Sequence, residues 1–308
     1  MPNKNDILWF KTEFSQKIEK DVVGTPFTVD MLTAIACQET GLIWSRLRKK
    51  GLPTSRVLEL CVGDSIDAPS RGAFPKTKHE LTLKKDGDNM FAIARKGLVD
   101  MANETGDTAY LNVIKNPHKF CHGFGIFQFD LQFFLTEPNY FLKEEYKDFD
   151  NCLAKCLKEL NHGLDRVGLI GQSTLTNMEM ASVAIAYNTG HFNPKKGLKQ
   201  GFFDGKLFYG EQYFDFLKLS QSVSLPTGGT PPLPPPAKGT EFEVDALGSL
   251  NLRSSPEINA INIIASLPDG KLVQAITGIE EKGFMEVETD LSGKHLRGFA
   301  STKFLKRR

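Results

Sequence analysis

The apolar positions before residue 225 recur mostly at the intervals of amphipathic helices. The first such stripe consists of Ile7, Leu8, Phe10, Phe14 and Ile18. After a break at Gly24-Thr-Pro26, Thr28 is placed to cap a helix running from Val29 through about Gln38, and Gly41 is expected to end it. Four further helices are predicted over Met90–Glu104, Phe149–His162, Asn177–Tyr187 and Glu211–Ser222.

Two stretches interrupt this helical pattern. Pro53–Lys85 is irregular and rich in Gly, Pro, Ser and Asp, which predicts a long functional insertion or a small β region. Leu225–Gly239 contains the run Pro-Pro-Leu-Pro-Pro-Pro between glycines, a composition typical of a semi-rigid linker in the polyproline-II conformation. A ligand for a proline-binding groove is the lesser alternative for this run.

After the linker the pattern changes to short β-rich runs separated by Gly, Pro, Asp and Asn. These runs are Glu241–Val244, Ser249–Arg253, Ile261–Leu267, Leu272–Ile276, Phe284–Glu288 and Arg297–Ser301. The change of period predicts an α+β multidomain protein: a mainly α domain over residues 1–224, a linker over 225–239 and a small all-β barrel over 240–308. The length of 308 residues also favours two domains, because one domain usually spans ~100–200 residues.

Composition narrows the classes of partner. Lys and Arg number 38 against 37 Asp and Glu, so no global charge favours nucleic acid or an acidic membrane. There is no visible secretory signal near the N-terminus and no run of ~18 apolar residues, so we expect a soluble protein made in the cytoplasm without a membrane span. Five cysteines are too few for a disulfide scaffold. The spacing of Cys152 and Cys156 favours one helix face over a zinc site, and no metal or other cofactor is expected.

Three short segments carry candidate chemistry. Glu39 follows an apolar helix just before the expected break at Gly41, where desolvation and the negative end of the helix dipole would keep it protonated. The structural alternative, which this segment alone favours, is a solvent-exposed glutamate in the last turn of a helix.

The second segment, His122-Gly-Phe-Gly-Ile-Phe-Gln-Phe-Asp130, places glycines beside aromatics. Gly123 and Gly125 would let the backbone approach a ligand, Phe124 could pack on a sugar ring, and Gln128 could hydrogen-bond to it. A tight turn entering a buried element is the structural alternative.

The third segment, Ser182–Gly190, is a small-residue helix that ends in Tyr187-Asn188 with Gly190 as its C-terminal cap.

These three segments, in this order, resemble the lysozyme-like superfamily of peptidoglycan lytic transglycosylases and goose-type lysozymes. The matches are Glu39-Thr40, Gly123-Phe-Gly-Ile-Phe-Gln128 and Ala186-Tyr-Asn-Thr-Gly190, within a region from about Asp21 to Ser222. The stretch between Glu39 and Gly123 is longer than is usual in the family, so Pro53–Lys85 is where substrate specificity would be reshaped. The resemblance implies a lysozyme-like fold that takes peptidoglycan glycan strands as substrate.

The residues after the linker resemble bacterial SH3-like domains. Leu250-Asn-Leu-Arg-Ser-Ser-Pro256 is similar to their opening strand, and Leu267-Pro-Asp-Gly270 and Gly298-Phe-Ala-Ser-Thr-Lys-Phe-Leu305 are similar to later ones. Phe299 stands where that family often has Trp. The resemblance implies a wall-binding module, so both parts of the chain point to one substrate.

The lysozyme-like resemblance implies a glycosidase that cleaves the MurNAc–GlcNAc β-1,4 bond, with Glu39 as the general acid and base. A transglycosylase needs no second carboxylate, whereas an inverting hydrolase needs one to activate water. Asp130 is the first candidate for that second role, and Asp64 and Asp67 are lesser ones because turn geometry also explains them. Tyr187, Asn188 and Gln128 would position the substrate.

Two other functions stay open. A cell-wall endopeptidase would use Cys121 with His162 or His191, and an inert adaptor would bind the wall without cleaving it. Without a signal peptide, a wall enzyme would reach its substrate after lysis, as a phage endolysin, or by injection, as an antibacterial effector. An effector would also meet secretion machinery or an immunity protein.

Overall fold

The structure, a computed structural model, describes residues 1–65, 71–225, 239–246 and 248–308. The chain divides into two compact units, Met1–Gly229 and Thr230–Arg308. The first is mainly helical and the second is all β, which confirms the α+β prediction at this level. Most of the predicted linker, residues 226–238, lies outside the described residues. No helix in the described ranges is both long and apolar enough to cross a membrane.

The first unit contains ten α-helices within the described residues. They are α1 Lys4–Asp21, α2 Val29–Lys49, α3 Thr54–Glu59, α4 Lys78–Thr82, α5 Gly87–Thr105, α6 Thr108–Val113, α7 Pro138–Leu142, α8 Phe149–Arg166, α9 Asn177–Thr189 and α10 Tyr209–Gln221. A small antiparallel sheet in the order β1-β2-β3 is formed by β1 Val62–Ser65, β2 Cys121–Phe124 and β3 Phe129–Asp130. All six helices predicted from the apolar spacing are present, as α1, α2, α5, α8, α9 and α10.

Helix α2 lies at the centre of this unit and packs against α1 and α10. The Thr28 side chain caps it by accepting a hydrogen bond from the Met31 amide, as predicted. The prediction that it ends at Gly41 is wrong, because the helix continues through Lys49. A Cβ on Gly41 would lie 2.5 Å from Pro2 Cγ, so this glycine allows a close approach of the N-terminus.

Two other predictions from local sequence are confirmed. Gly190 adopts a left-handed φ of 79° directly after α9, and its amide donates to the Ala186 carbonyl, as a C-terminal cap does. Cys152 and Cys156 are both buried on α8, as their spacing predicted. All five cysteines are free thiols.

The irregular stretch Pro53–Lys85 contributes α3, β1 and α4, while residues 66–70 lie outside the described residues. Strand β1 pairs antiparallel with β2, with Val62 opposite Phe124 and Ser65 opposite Cys121. The long segment between Ser65 and Cys121 therefore connects two neighbouring strands.

The second unit is a single curled antiparallel sheet that forms a half-barrel. Its strands are β4 Glu241–Val244, β5 Ser249–Arg253, β6 Ile263–Pro268, β7 Leu272–Glu281, β8 Phe284–Leu291, β9 Lys294–Ser301 and β10 Leu305–Arg307, in the order β10-β4-β7-β8-β9-β5-β6. Leu252, Leu267, Val287 and Ala300 are fully buried in its core.

Candidate active site

A cleft of about 680 Å³ in the helical unit brings the three candidate segments together. Helix α2 contributes Glu39, the small sheet contributes the second segment, and the end of α9 contributes the third. The predicted site residues that line the cleft are Glu39, Gly123, Gln128, Asp130, Tyr187 and Asn188. Two others, Phe124 and Gly125, are not among the lining residues.

Glu39 is a partly buried acid in the middle of α2. Burial raises its pKa to about 8, the negative charge of Asp64 acts in the same direction, and a 2.7 Å hydrogen bond from Tyr209 Oη to Oε1 opposes them. The prediction that the helix dipole keeps Glu39 protonated is wrong, since α2 continues through Lys49, but desolvation alone raises the pKa as expected. Glu39 is therefore mainly protonated at neutral pH.

Thr40 fixes the strand turn beside the acid. Its Oγ1 donates a 2.6 Å hydrogen bond to the carbonyl of Ile126, which lies in the turn between β2 and β3. The Gln128 amide closes this turn by donating to the Gly125 carbonyl at 3.0 Å. The neighbouring residues Glu39 and Thr40 thus supply, respectively, the acid and the anchor that holds the second segment against it.

The glycines of the second segment make room for protein side chains. A Cβ on Gly123 would lie 2.0 Å from Gln128 Oε1, and one on Gly63 in β1 would lie 2.6 Å from the same atom. A Cβ on Gly125 would lie 2.4 Å from Cys152 Sγ of α8. Close packing within the protein, rather than ligand approach, accounts for these three positions.

Gln128 is held in the cleft by its own turn. Its backbone is left-handed, with φ at 55°, and its Nε2 donates to the Gly125 carbonyl at 2.9 Å. The side chain lies across the glycine surface of β1 and β2 while still lining the cleft. It is placed where a bound substrate would meet an amide of fixed orientation.

The aromatic residue predicted to stack on sugar is buried instead. Phe124 is fully buried and packs edge-on against Phe141 and Tyr146. The aromatic residues that line the cleft are Phe129, Phe133 and Tyr187, and the rings of Phe129 and Phe133 are stacked with centroids 4.6 Å apart. Phe124 is the last residue of β2, and its ring belongs to the buried core cluster of the helical unit.

Asp130 is ionised, and neighbouring residues bind both of its carboxylate oxygens. Arg71 Nη2 donates to both carboxylate oxygens, at 2.6 and 2.8 Å, and His122 Nδ1 lies 3.0 Å from Oδ2. The Gln132 amide donates to Oδ1 at 2.7 Å. Burial by itself would raise the pKa of Asp130, but the hydrogen bonds and charges of His122 and Arg71 lower it. The carboxylate is thus stabilised as an ion-pair partner.

Asp64 presents a more exposed carboxylate to the same cleft. It follows Gly63 in β1 with a left-handed φ of 47°, and its side chain is 72% exposed against 23% for Asp130. His122 lies between the two carboxylates, with Nε2 3.7 Å from Asp64 Oδ2. Asp67, the other lesser candidate, lies outside the described residues.

Tyr187 acts on the protein backbone. Its Oη donates a 2.5 Å hydrogen bond to the carbonyl of Phe127, which ties the end of α9 to the β2–β3 turn. The adjacent Asn188 is exposed at the cleft. The structure adds two residues that the sequence did not single out, Tyr209 and Arg71, neither of which lies in a recognisable motif.

Cys121 does not have the surroundings of a nucleophilic thiol. Cys121 is fully buried, its Sγ donates to the Ala94 carbonyl at 3.1 Å, and burial raises its pKa. A nucleophilic thiol needs the opposite, a lowered pKa and access to substrate. Among the described residues, no group of three or more His, Cys, Asp or Glu is arranged to hold a metal ion.

Comparison with models of protein families finds no match for this chain, and comparisons with curated proteins and with solved structures find none either. The geometry of the cleft and the motifs that line it are therefore the basis for inferring a function.

Proposed function

We propose that this protein is a peptidoglycan-degrading glycosidase that cleaves the MurNAc–GlcNAc β-1,4 bond. The observation that carries the proposal is Glu39, a carboxyl group whose pKa is raised to about 8 and which opens onto a cleft of about 680 Å³. A glycosidic bond breaks when such an acid protonates the departing oxygen. The resemblance of the three lining segments to lytic transglycosylases and goose-type lysozymes names the substrate.

In the transglycosylase route, Glu39 performs both proton transfers. It gives its proton to the oxygen of the bond being cleaved, and positive charge develops at the anomeric carbon of the muramyl residue. The resulting carboxylate then removes the proton from the 6-hydroxyl of the same sugar as that oxygen attacks the anomeric carbon. The products are a 1,6-anhydro end and a free 4-hydroxyl, and Glu39 is protonated again.

In the hydrolytic route, a second carboxylate activates water. The salt bridge to Arg71 and the contact with His122 engage both oxygens of Asp130 and weaken it as a base. Asp64 is more exposed in the same cleft. The geometry therefore favours Asp64 over Asp130 for this role, which reverses the order that the sequence suggested.

The β unit is proposed to be an SH3-like module that holds the enzyme on the cell wall. Its curled antiparallel sheet and its motifs at Leu250–Pro256 and Gly298–Leu305 support this assignment. The proposed site of action is the cell wall, reached after lysis by an endolysin or after injection by an antibacterial effector. An effector would carry an immunity protein as a further partner.

Digestion of purified peptidoglycan, followed by mass spectrometry of the released muropeptides, tests the proposal. Anhydro-muropeptides are expected from the transglycosylase route and their hydrated counterparts from hydrolysis, with both lost in Glu39→Gln. A folded protein that binds the wall saturably but releases neither product would be an adaptor. Loss of activity in Cys121→Ser but not in Glu39→Gln would identify an endopeptidase.

A further inference from the structure

A second cavity, of about 320 Å³, adjoins the cleft in the helical unit. Thr189, at the end of α9, lines both cavities. The side chains that give the second cavity its chemistry are His191, Lys196, Lys199, Phe202 and Phe208. We call it the basic annex.

The wall of the annex is a loop held by a buried amide. Gln200 is 6% exposed, and its Oε1 accepts from the Asn193 amide at 2.8 Å. Its Nε2 donates to the carbonyls of Asn193 and Gly197 at 2.9 and 2.6 Å. These three hydrogen bonds fix the path of residues 193–200, so the two lysines project from a defined backbone.

The same loop is tied to the residue that contacts Glu39. The Tyr209 amide donates to the Phe202 carbonyl at 2.8 Å, and the Gly210 amide donates to the backbone carbonyl of Gln200 at 3.1 Å. Gly201 has a left-handed φ of 83°, and a Cβ there would lie 2.5 Å from Tyr209 Cβ. Tyr209 therefore joins the annex wall, through its backbone, to the proposed acid, through its hydroxyl.

The annex is suited to an anionic ligand with apolar groups. Lys196 and Lys199 are exposed, and neither forms an ion pair with any described residue. None of the lining residues is acidic. Phe202, at 72% exposure, gives the same cavity an accessible apolar surface. Unpaired ammonium groups attract carboxylates, and an exposed aromatic ring offers a surface on which small apolar side chains can pack.

We infer that the annex binds the carboxylate-bearing peptide attached to the muramyl residue of the strand in the cleft. The inference rests on the proposed function. The lactyl-linked peptide projects away from the glycan axis and carries free carboxylates and methyl groups, which match the lysines and Phe202. Its attachment to the sugar also requires a site continuous with the glycan cleft, and the shared Thr189 provides that continuity.

The test compares two substrates: intact glycan strands with their peptides, and the same strands after an amidase has removed the peptides while leaving the lactyl carboxylate. The double variant Lys196→Ala/Lys199→Ala is expected to lose about tenfold in kcat/KM on the peptide-bearing strands, mainly through KM, because the contact lies away from the cleaved bond. On stripped strands its activity should equal that of the wild type. The matched control is Lys195→Ala/Lys206→Ala, which removes two exposed lysines that do not line the annex.

Each other result overturns the inference in a recognisable way. If the wild type cleaves neither substrate, the proposed function fails and the inference falls with it. If the wild type cleaves both and the double variant is unaffected, or is weakened equally on both, the inference alone is wrong. A defect that disappears when wall phosphate polymers are removed by acid, with the peptides retained, would show that the lysines bind phosphate instead.

Discussion

Tyr209 Oη donates a 2.7 Å hydrogen bond to Glu39 Oε1, joining two residues 170 positions apart in the chain. Because Oε1 accepts this bond, the proton of the neutral acid belongs on the other oxygen, Oε2. The same hydroxyl stabilises the carboxylate after proton transfer, and it accordingly lowers a pKa that burial raises. The hydrogen bond from Tyr209 thus keeps the pKa of Glu39 low enough for the acid to give up its proton.

Replacing Glu39 by Gln should lower the release of muropeptides by about 10²–10⁴-fold, the range usual for loss of a general acid. The amide oxygen of Gln can still accept the bond from Tyr209, so the fold should be retained. Product release from purified peptidoglycan measures the effect, and circular dichroism checks the fold. Activity within a few fold of wild type would show that Glu39 is not the acid.

Replacing Tyr209 by Phe should move the basic limb of the pH profile upward. The acid works only while protonated, so activity falls as the pH passes its pKa of about 8. Removing the hydrogen bond that lowers this pKa raises it further. Profiles of kcat/KM between pH 5 and ~10 measure the limb. A limb that stays in place or moves to lower pH would contradict the assigned role of Tyr209.

The sequence was sufficient where a structural signal is local. Thr28 and Gly190 are caps, and a cap depends on a hydrogen bond to a residue three or four positions away. The short β-rich runs between turn residues likewise predicted six of the seven strands of the half-barrel, all except β10, because turn residues mark strand ends locally.

The sequence failed where one residue serves a distant contact. Glycine often ends a helix, yet Gly41 lies inside a continuous helix, where its missing side chain lets Pro2 pack against it. Gly125 accommodates the thiol of Cys152, and Tyr209 meets Glu39 from another helix. No neighbouring residue signals these partners, so only the tertiary structure distinguishes a glycine for packing from one for a turn or a ligand.

A double-mutant cycle at Gly123 and Gln128 tests whether the Gln128 side chain occupies the space beside Gly123. Gly123→Ala should lower the free energy of unfolding by about 1–3 kcal/mol, because the new methyl group would lie 2.0 Å from Gln128 Oε1. In a Gln128→Ala background that clash is absent, so the same substitution should cost much less. Urea unfolding of the four proteins gives the coupling energy. Equal costs in both backgrounds would mean that Gln128 does not occupy this space.

The stability of the protein should respond differently to amide substitution at Asp64 and at Asp130. Asp130→Asn leaves Arg71 without its ionic partner and should reduce the free energy of unfolding by about 1–3 kcal/mol. Asp64→Asn changes an exposed group, so stability should hold while the ratio of hydrated to anhydro products falls. Denaturant unfolding and mass spectrometry separate the two effects. Loss of hydrated products in a fully stable Asp130→Asn protein would return the base role to Asp130.

The raised pKa of Glu39 should also reduce stability as the pH rises. In the unfolded chain the group ionises near 4.5, but in the folded protein it holds its proton to about 8. The folded state therefore binds more protons across this interval, and the free energy of unfolding falls with pH between those two values. Glu39→Gln removes this pH dependence. The free energy of unfolding of the variant should therefore rise relative to that of the wild type from pH 4.5 to pH 8, by up to about 4 kcal/mol. Urea unfolding of both proteins at the two pH values measures the difference. A constant difference would mean that Glu39 ionises in the fold as it does in water, which would remove the physical basis for its role as an acid.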